Sequence, residues 1–137
     1  MKHNYIFVYG TLRRNTNNSM FHFLEKNAEF LDNARFRGKL YKIAHYPGVI
    51  ASEVPDDVVF GEVYLLQCAD FVLAHLDQYE ECGADFPAPN EYVRRLQEVI
   101  LGNGDIVTAW VYIYNRPTEG FEQIYPGDFL SYQSQAE

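Results

Sequence analysis

The sequence predicts an α+β protein: a mixed sheet of about six strands, open or closed into a barrel, with few helices. Three observations carry this. Runs rich in aromatic and β-branched residues recur along the chain, at Tyr5–Tyr9, Val58–Leu66, Tyr92–Leu101 and Ile106–Tyr114, and such residues fit a pleated, half-buried surface. Helical patterning is confined to two short stretches. The length of 137 residues suits one domain, residues 1–137, large enough to bury a real core.

The elements follow in order. Tyr5-Ile6-Phe7-Val8-Tyr9 reads as a central strand, and Gly10 breaks it. The polar run Asn15-Thr16-Asn17-Asn18-Ser19 forms a loop, and Ser19 is placed to N-cap a short helix over Met20–Lys26. After Ala28–Arg37, the stretch Gly38–Ile43 alternates as a half-exposed strand. Tyr46-Pro47-Gly48 is a turn before the apolar run Val49-Ile50-Ala51. Pro55-Asp56-Asp57 is another turn, ahead of a strand over Val58–Leu66 that crosses Gly61. Asp70–Tyr79 carries the best helical pattern, with Asp70 as N-cap and Val72, Leu73, Leu76 and Tyr79 as its apolar stripe. A loop with Gly83, Pro87 and Pro89 leads to the strand Tyr92–Leu101. Gly102-Asn103-Gly104-Asp105 is a hairpin signal joining it to Ile106–Tyr114. Tyr125–Leu130 is a turn with an aromatic anchor. On the Ile106–Tyr114 strand, Trp110, Tyr112 and Tyr114 share a face opposite Ala109, Val111 and Ile113. The aromatic face is either core or the wall of a polar cleft.

Composition narrows the function. A net charge of −8 argues against phosphate-mediated nucleic-acid binding and against anionic membrane surfaces. No apolar run is long enough to span a bilayer, and the first residues lack the pattern of a secretory signal. The two cysteines, Cys68 and Cys82, make no disulfide framework and no metal-type spacing. A reduced, cytoplasmic setting is therefore expected, with one bridge between them left open. Aromatic residues make up 16% of the chain, and tyrosines in particular can line a pocket with a rigid ring and a polar tip.

Two places hold chemistry. A glycine at a strand end, Gly10, lets a ligand approach main-chain N–H groups, which with the Thr11 hydroxyl suit a carboxylate or a developing oxyanion. Glu80 and Glu81 stand where the best helix ends. A helix C-terminus and burial against Tyr79 both disfavour a carboxylate charge, which suits a group that takes and returns a proton near neutrality. The four histidines are dispersed, no nucleophile elbow surrounds a serine, and no phosphate loop or dinucleotide fingerprint occurs. Cys82 has no basic neighbour in sequence to activate it and reads as a bystander. No metal site and no cofactor are expected.

The segment Val8-Tyr9-Gly10-Thr11-Leu12-Arg13 resembles the opening signature of the γ-glutamylcyclotransferase-like family, including its AIG2-like branch and the γ-glutamylamine cyclotransferases. Further matches follow in family order: His45-Tyr46-Pro47-Gly48, Phe60-Gly61-Glu62-Val63-Tyr64, Leu76-Asp77-Gln78-Tyr79-Glu80, Tyr92-Val93-Arg94-Arg95, Ala109–Tyr114 and Gly127-Asp128-Phe129-Leu130. The resemblance implies a small barrel-like fold with a cavity. It also implies a reaction in which the substrate's α-amine attacks its own γ-glutamyl carbonyl, releasing 5-oxoproline and an amine or amino acid. Glu80 matches the family's acid/base, and Glu81 has no such counterpart. Tyr9, Gly10, Thr11 and Leu12 match the substrate-holding loop, with Tyr46, Pro47, Gly48 and Tyr114 as further substrate-binding positions. In the family a Gly often follows the Glu, whereas here Glu81 and Cys82 precede Gly83.

The expected partner is a small γ-glutamyl molecule, met by a monomer or weak homodimer, with no nucleic acid and no membrane. The competing reading from another class is a non-catalytic module that keeps the pocket for a small carboxylate metabolite.

Overall fold

The computed structural model describes residues 3–10 and 19–136. Among them lie β1 (Tyr5–Val8), α1 (Ser19–Asn27), β2 (Ala28–Lys42), β3 (Pro47–Ala51), β4 (Val58–Leu66), α2 (Ala69–Tyr79), β5 (Tyr92–Leu101), β6 (Ile106–Tyr114), β7 (Glu122–Ile124) and α3 (Phe129–Ala136). Five strands close a mixed barrel, and two more are added to it. The ring runs β2–β5–β6–β1–β4 and back to β2. Every contact in it is antiparallel except β1 with β6, which is parallel at Ile6 opposite Trp110.

Register shows how the extra strands enter. Val49 of β3 pairs with Leu40 of β2 on one side and Ile113 of β6 on the other, so β3 is wedged where β2 and β6 diverge. Trp110 and Ile113 meet β5 on their other edge. Hence β1 and β3 lie in succession along the same edge of β6. β7 pairs with β2 at Leu40–Lys42.

Period-two alternation sorts the apolar residues into two cores. Phe7, Phe36, Val59, Val63, Val99, Ala109 and Val111 pack inside the barrel. Ile6, Val8, Tyr64, Leu66 and Tyr112 point outward and are covered by Phe21 and Leu24 of α1 and by Val72, Leu73 and Leu76 of α2. Gly61 falls on the inward set, where a Cβ would stand 2.2 Å from the Val8 carbonyl oxygen and 2.7 Å from the Phe7 ring. A side chain there has no room. Both faces of β6 are thus buried, and its aromatic face proves to be packed as well as facing a cleft.

The strands expected over Val58–Leu66, Tyr92–Leu101 and Ile106–Tyr114 have those bounds. Others differ. The strand expected at Gly38–Ile43 is the end of β2, which starts at Ala28 and carries a bulge between Phe30 and Asp32. Pro47 and Gly48 belong to β3 rather than to a turn. α2 is N-capped by Cys68 in the left-handed region, with no side-chain cap, so Asp70 is a first-turn acid and not the cap. Tyr79 lies outside the buried stripe of α2, at 43% exposure. The final anchor holds, Phe129 being buried, but it opens α3. No helix is long and apolar enough to cross a membrane.

Candidate active site

A cleft of about 240 Å³ opens beside the end of β1. Phe7, Val8, Tyr9 and Gly10 form one wall, and His45, Tyr46 and Pro47, from the β2–β3 connection and the start of β3, form the facing one. The end of α2 contributes Tyr79, Glu80 and Glu81, while Glu91, Tyr92 and Tyr112 close the back. The two walls nearly touch at Gly10, where a Cβ would lie 2.8 Å from the Pro47 ring. Close approach of the chain therefore requires glycine here.

Glu80 is fixed by how α2 ends. It is the C-cap residue, with its N–H bonded to the Leu76 carbonyl at 2.9 Å. Glu81 follows in the left-handed region at φ 53°. Its N–H reaches the Gln78 carbonyl at 3.2 Å, and the Cys82 N–H reaches the Asp77 carbonyl at 2.8 Å. This pair of bonds is the Schellman closure, in which a left-handed residue after the cap is most often glycine. The closure turns the chain so that Glu80 and Glu81 both face the cleft.

The Glu80 carboxyl is pushed up to about 7, first by burial and then by the charges of Glu91 and Asp77. Both causes disfavour the anion. The cleft is lined by tyrosines whose hydroxyls are already committed as donors. Tyr9 donates to the Tyr112 carbonyl and Tyr92 to the Pro47 carbonyl, each at 2.6 Å. Tyr46 donates to Glu91 Oε2 at 2.6 Å, and burial together with that carboxylate pushes Tyr46 up to about 12. Burial likewise raises Tyr9, Tyr92 and Tyr112. These tyrosines stay neutral and hold the two walls at a set spacing.

Behind the cleft, Asp77 accepts from Arg94 Nε at 2.7 Å and from Arg94 Nη2 at 3.0 Å. The Tyr112 hydroxyl donates to the same carboxylate at 2.7 Å. The Arg94 guanidinium lies 4.3 Å from the centroid of the Trp110 ring.

The sequence-predicted residues sort as follows. Glu80, Tyr9, Gly10, Tyr46 and Pro47 meet in the one cleft. Thr11 and Leu12 lie outside the described residues. Gly48 and Tyr114 stand behind the wall: a Cβ on Gly48 would be 2.9 Å from the Tyr114 Cβ, and Tyr114 packs edge-on against Tyr92 at 5.6 Å. Sequence reasoning gave no role to His45, Glu91, Tyr92, Tyr112, Asp77 or Arg94. The strand pattern that put Tyr112 opposite Ala109 and Val111 was the available signal for one of them. Cys68 and Cys82 are free thiols. Burial raises Cys82, and Arg94 stands near enough to oppose that rise, so the cysteine does have a basic neighbour, supplied by another strand. Among the described residues no group of three or more His, Cys, Asp or Glu is placed to hold a metal ion.

Comparison with known proteins shows the family and the fold. The gamma-glutamylcyclotransferase family protein YtfP of Escherichia coli (strain K12) is 36% identical over 126 residues, covering 91% of this chain and 95% of that protein. A putative gamma-glutamylcyclotransferase of Vibrio cholerae is 33% identical over 132 residues, 90% of this chain and 93% of its own length. In fold, the chain is similar to the crystal structure of an AIG2-like protein from Mus musculus, with TM-score 0.72 at 24% identity over 93% of this chain and 89% of that one. The family model described as gamma-glutamyl cyclotransferase, AIG2-like, matches residues 6–131. The chain therefore belongs to the AIG2-like gamma-glutamyl cyclotransferase family.

Proposed function

We propose that this protein is a γ-glutamyl cyclotransferase that converts a γ-glutamyl amine or γ-glutamyl amino acid to 5-oxoproline and the free amine, with Glu80 as general acid/base. The observation that carries the reading is that Glu80 and Gly10, remote in sequence, line the same cleft. Its chemistry follows from proton accounting. The substrate's α-ammonium gives one proton to the Glu80 carboxylate, and the freed amine attacks the γ-carbonyl carbon. The new C–N bond forms as the old amide C–N bond breaks, with Glu80 passing the proton to the departing nitrogen. A second proton leaves the attacking nitrogen as the lactam forms and completes the departing ammonium. A carboxyl held at about 7 can both take and return a proton near neutral pH.

Because nucleophile and electrophile are parts of one molecule, the protein's main task is to hold the substrate folded. The backbone at Gly10, which lines the cleft, suits the α-carboxylate or the developing oxyanion. Tyr9, Tyr46, Pro47 and Tyr92 supply rigid walls around the glutamyl portion, and Gly48 and Tyr114 support those walls from behind. The reaction as written consumes no cofactor.

The test is incubation with a panel of γ-glutamyl amines and γ-glutamyl amino acids, with detection of 5-oxoproline. Glu80→Gln is expected to lower turnover about 100- to 10,000-fold. Equal activity of the two proteins would remove Glu80 from the mechanism. Stabilisation by the panel compounds without turnover would instead identify a binding module, and open-chain glutamate as product would identify a hydrolase.

A further inference from the structure

Asp77 and Arg94 lie outside the cleft lining and touch no position the reaction requires, yet they form a close ion pair beside it. The contact is bidentate, at 2.7 and 3.0 Å, which fixes both distance and orientation. It is buttressed on each side. Tyr112 donates to Asp77 at 2.7 Å, and Arg94 lies over Trp110, whose Nε1–H donates to the His3 carbonyl at 3.1 Å. Asp77 stands three residues before Glu80, and its carbonyl accepts the Cys82 N–H that completes the turn around Glu80. The ion pair thus ties the last turn of α2 to β5 and the turn itself to Asp77.

We propose that Asp77 and Arg94 are positioning residues for Glu80: their ion pair clamps the end of α2 against β5 and β6 and keeps the Asp77 charge, one helical turn from the acid/base, largely neutralised. The inference rests on the assignment of Glu80 as acid/base. Other groups face Glu80 as well. Glu91 and Tyr92 come from the residue before β5 and its first position, Tyr9 from just after β1, Tyr112 from β6, and Cys82 from the loop after α2. His45 and Tyr46 line the opposite wall and Glu81 its own. Of the acids named as acting on Glu80, Glu91 is bonded to a neutral tyrosine. Among the described residues, Asp77 is the one of the two held by a cation. Its effect on Glu80 is therefore the one that a single substitution can switch in either direction.

The experiment is the pH profile of kcat/KM, whose acidic limb reports the acid/base in the free enzyme, for wild type, Asp77→Asn, Arg94→Gln and Arg94→Lys. Asp77→Asn removes an anion and leaves a cation beside Glu80, so the limb moves down, by roughly half to one pH unit. Arg94→Gln leaves Asp77 uncompensated, so the limb moves up by a similar amount. Arg94→Lys keeps the charge without the fork, so kcat falls while the limb stays near that of wild type. A role confined to folding would lower activity in Asp77→Asn and Arg94→Gln alike and leave the limb unmoved, or move it one way in both, and either result overturns the proposal. NMR titration of the Glu80 carboxyl in the same proteins gives the direction of each shift without needing turnover. Glu80→Gln runs in parallel: if it is as active as wild type, the acid/base assignment fails, whereas an inactive Glu80→Gln with unmoved limbs refutes the clamp alone.

Discussion

Glu80→Gln should stabilise the protein at the pH where it abolishes activity, and the pH dependence of that gain is the sharpest test of the site. The native carboxyl is lifted from 4.5 to about 7, chiefly by burial. Below pH 4.5 native and unfolded states both hold the proton, so nothing is lost. Between 4.5 and 7 the unfolded chain gives up its proton first, and stability falls as pH rises. Above 7 both states are ionised and the full penalty is present. A shift of this size corresponds to an upper bound of about 3 kcal/mol. The side chain still meets the cleft and its solvent, which brings the expectation to about 2 kcal/mol. Glutamine keeps the shape and carries no charge, so it avoids the penalty. The assay is urea or thermal denaturation of both proteins from pH 4.5 to 8. The two curves should nearly coincide at the acid end and separate to about 2 kcal/mol at pH 8, about 7 °C in Tm for a chain of this size. Curves that stay parallel across the whole range would show that the folded protein does not raise this carboxyl.

Two further changes probe the frame around the site. Glu81 occupies the left-handed position of the Schellman closure at φ 53°, which strains an L side chain by about 1–2 kcal/mol. Glu81→Gly relieves that strain and loses about 0.5–1 kcal/mol to unfolded-state entropy, so a net gain of about 0.5–1 kcal/mol is expected in denaturation, while Glu81→Ala should give none. At Gly61 a Cβ would overlap the Val8 carbonyl oxygen and the Phe7 ring, at 2.2 and 2.7 Å. The oxygen belongs to a neighbouring strand and cannot swing away, so Gly61→Ala should cost about 3 kcal/mol or more, read as a lowered denaturation midpoint; a midpoint equal to that of wild type would mean β1 and β4 are not packed this closely.

The strands that were legible in the sequence were those whose patterns are complete within themselves. β4, β5 and β6 are continuous β-branched and aromatic runs bounded by turn residues, and local chemistry alone sets their ends. The first half of β2 was not legible, because Glu29, Phe30 and Leu31 are all exposed and the bulge between Phe30 and Asp32 interrupts the alternation. β7 has three residues and exists only because Leu40–Lys42 of β2 offers it a partner. Closure of the barrel was likewise out of reach of periodicity. It depends on Ala34 meeting Gly61 on one side and Leu101 on the other, a long-range register that no local window contains. The family resemblance supplied the barrel instead.

The site divides along the same line. Gly10 and Glu80 were visible as residue types in suggestive places, a strand end and a helix end. Their sharing of a cleft was not visible, nor was the pairing of Asp77 with Arg94, because each depends on how α2 lies across β5 and β6. What the structure adds is a reason for the sequence at 80–82. A carboxyl raised by burial and a non-glycine residue in the left-handed region both oppose folding, and they occupy adjacent positions. The helix that carries them is held by an ion pair, a tyrosine hydroxyl and three buried aliphatic side chains. Strain of this kind persists only where its surroundings over-determine it. Stabilising contacts therefore gather just behind the two destabilised residues, and the ion pair that holds the end of α2 is among them.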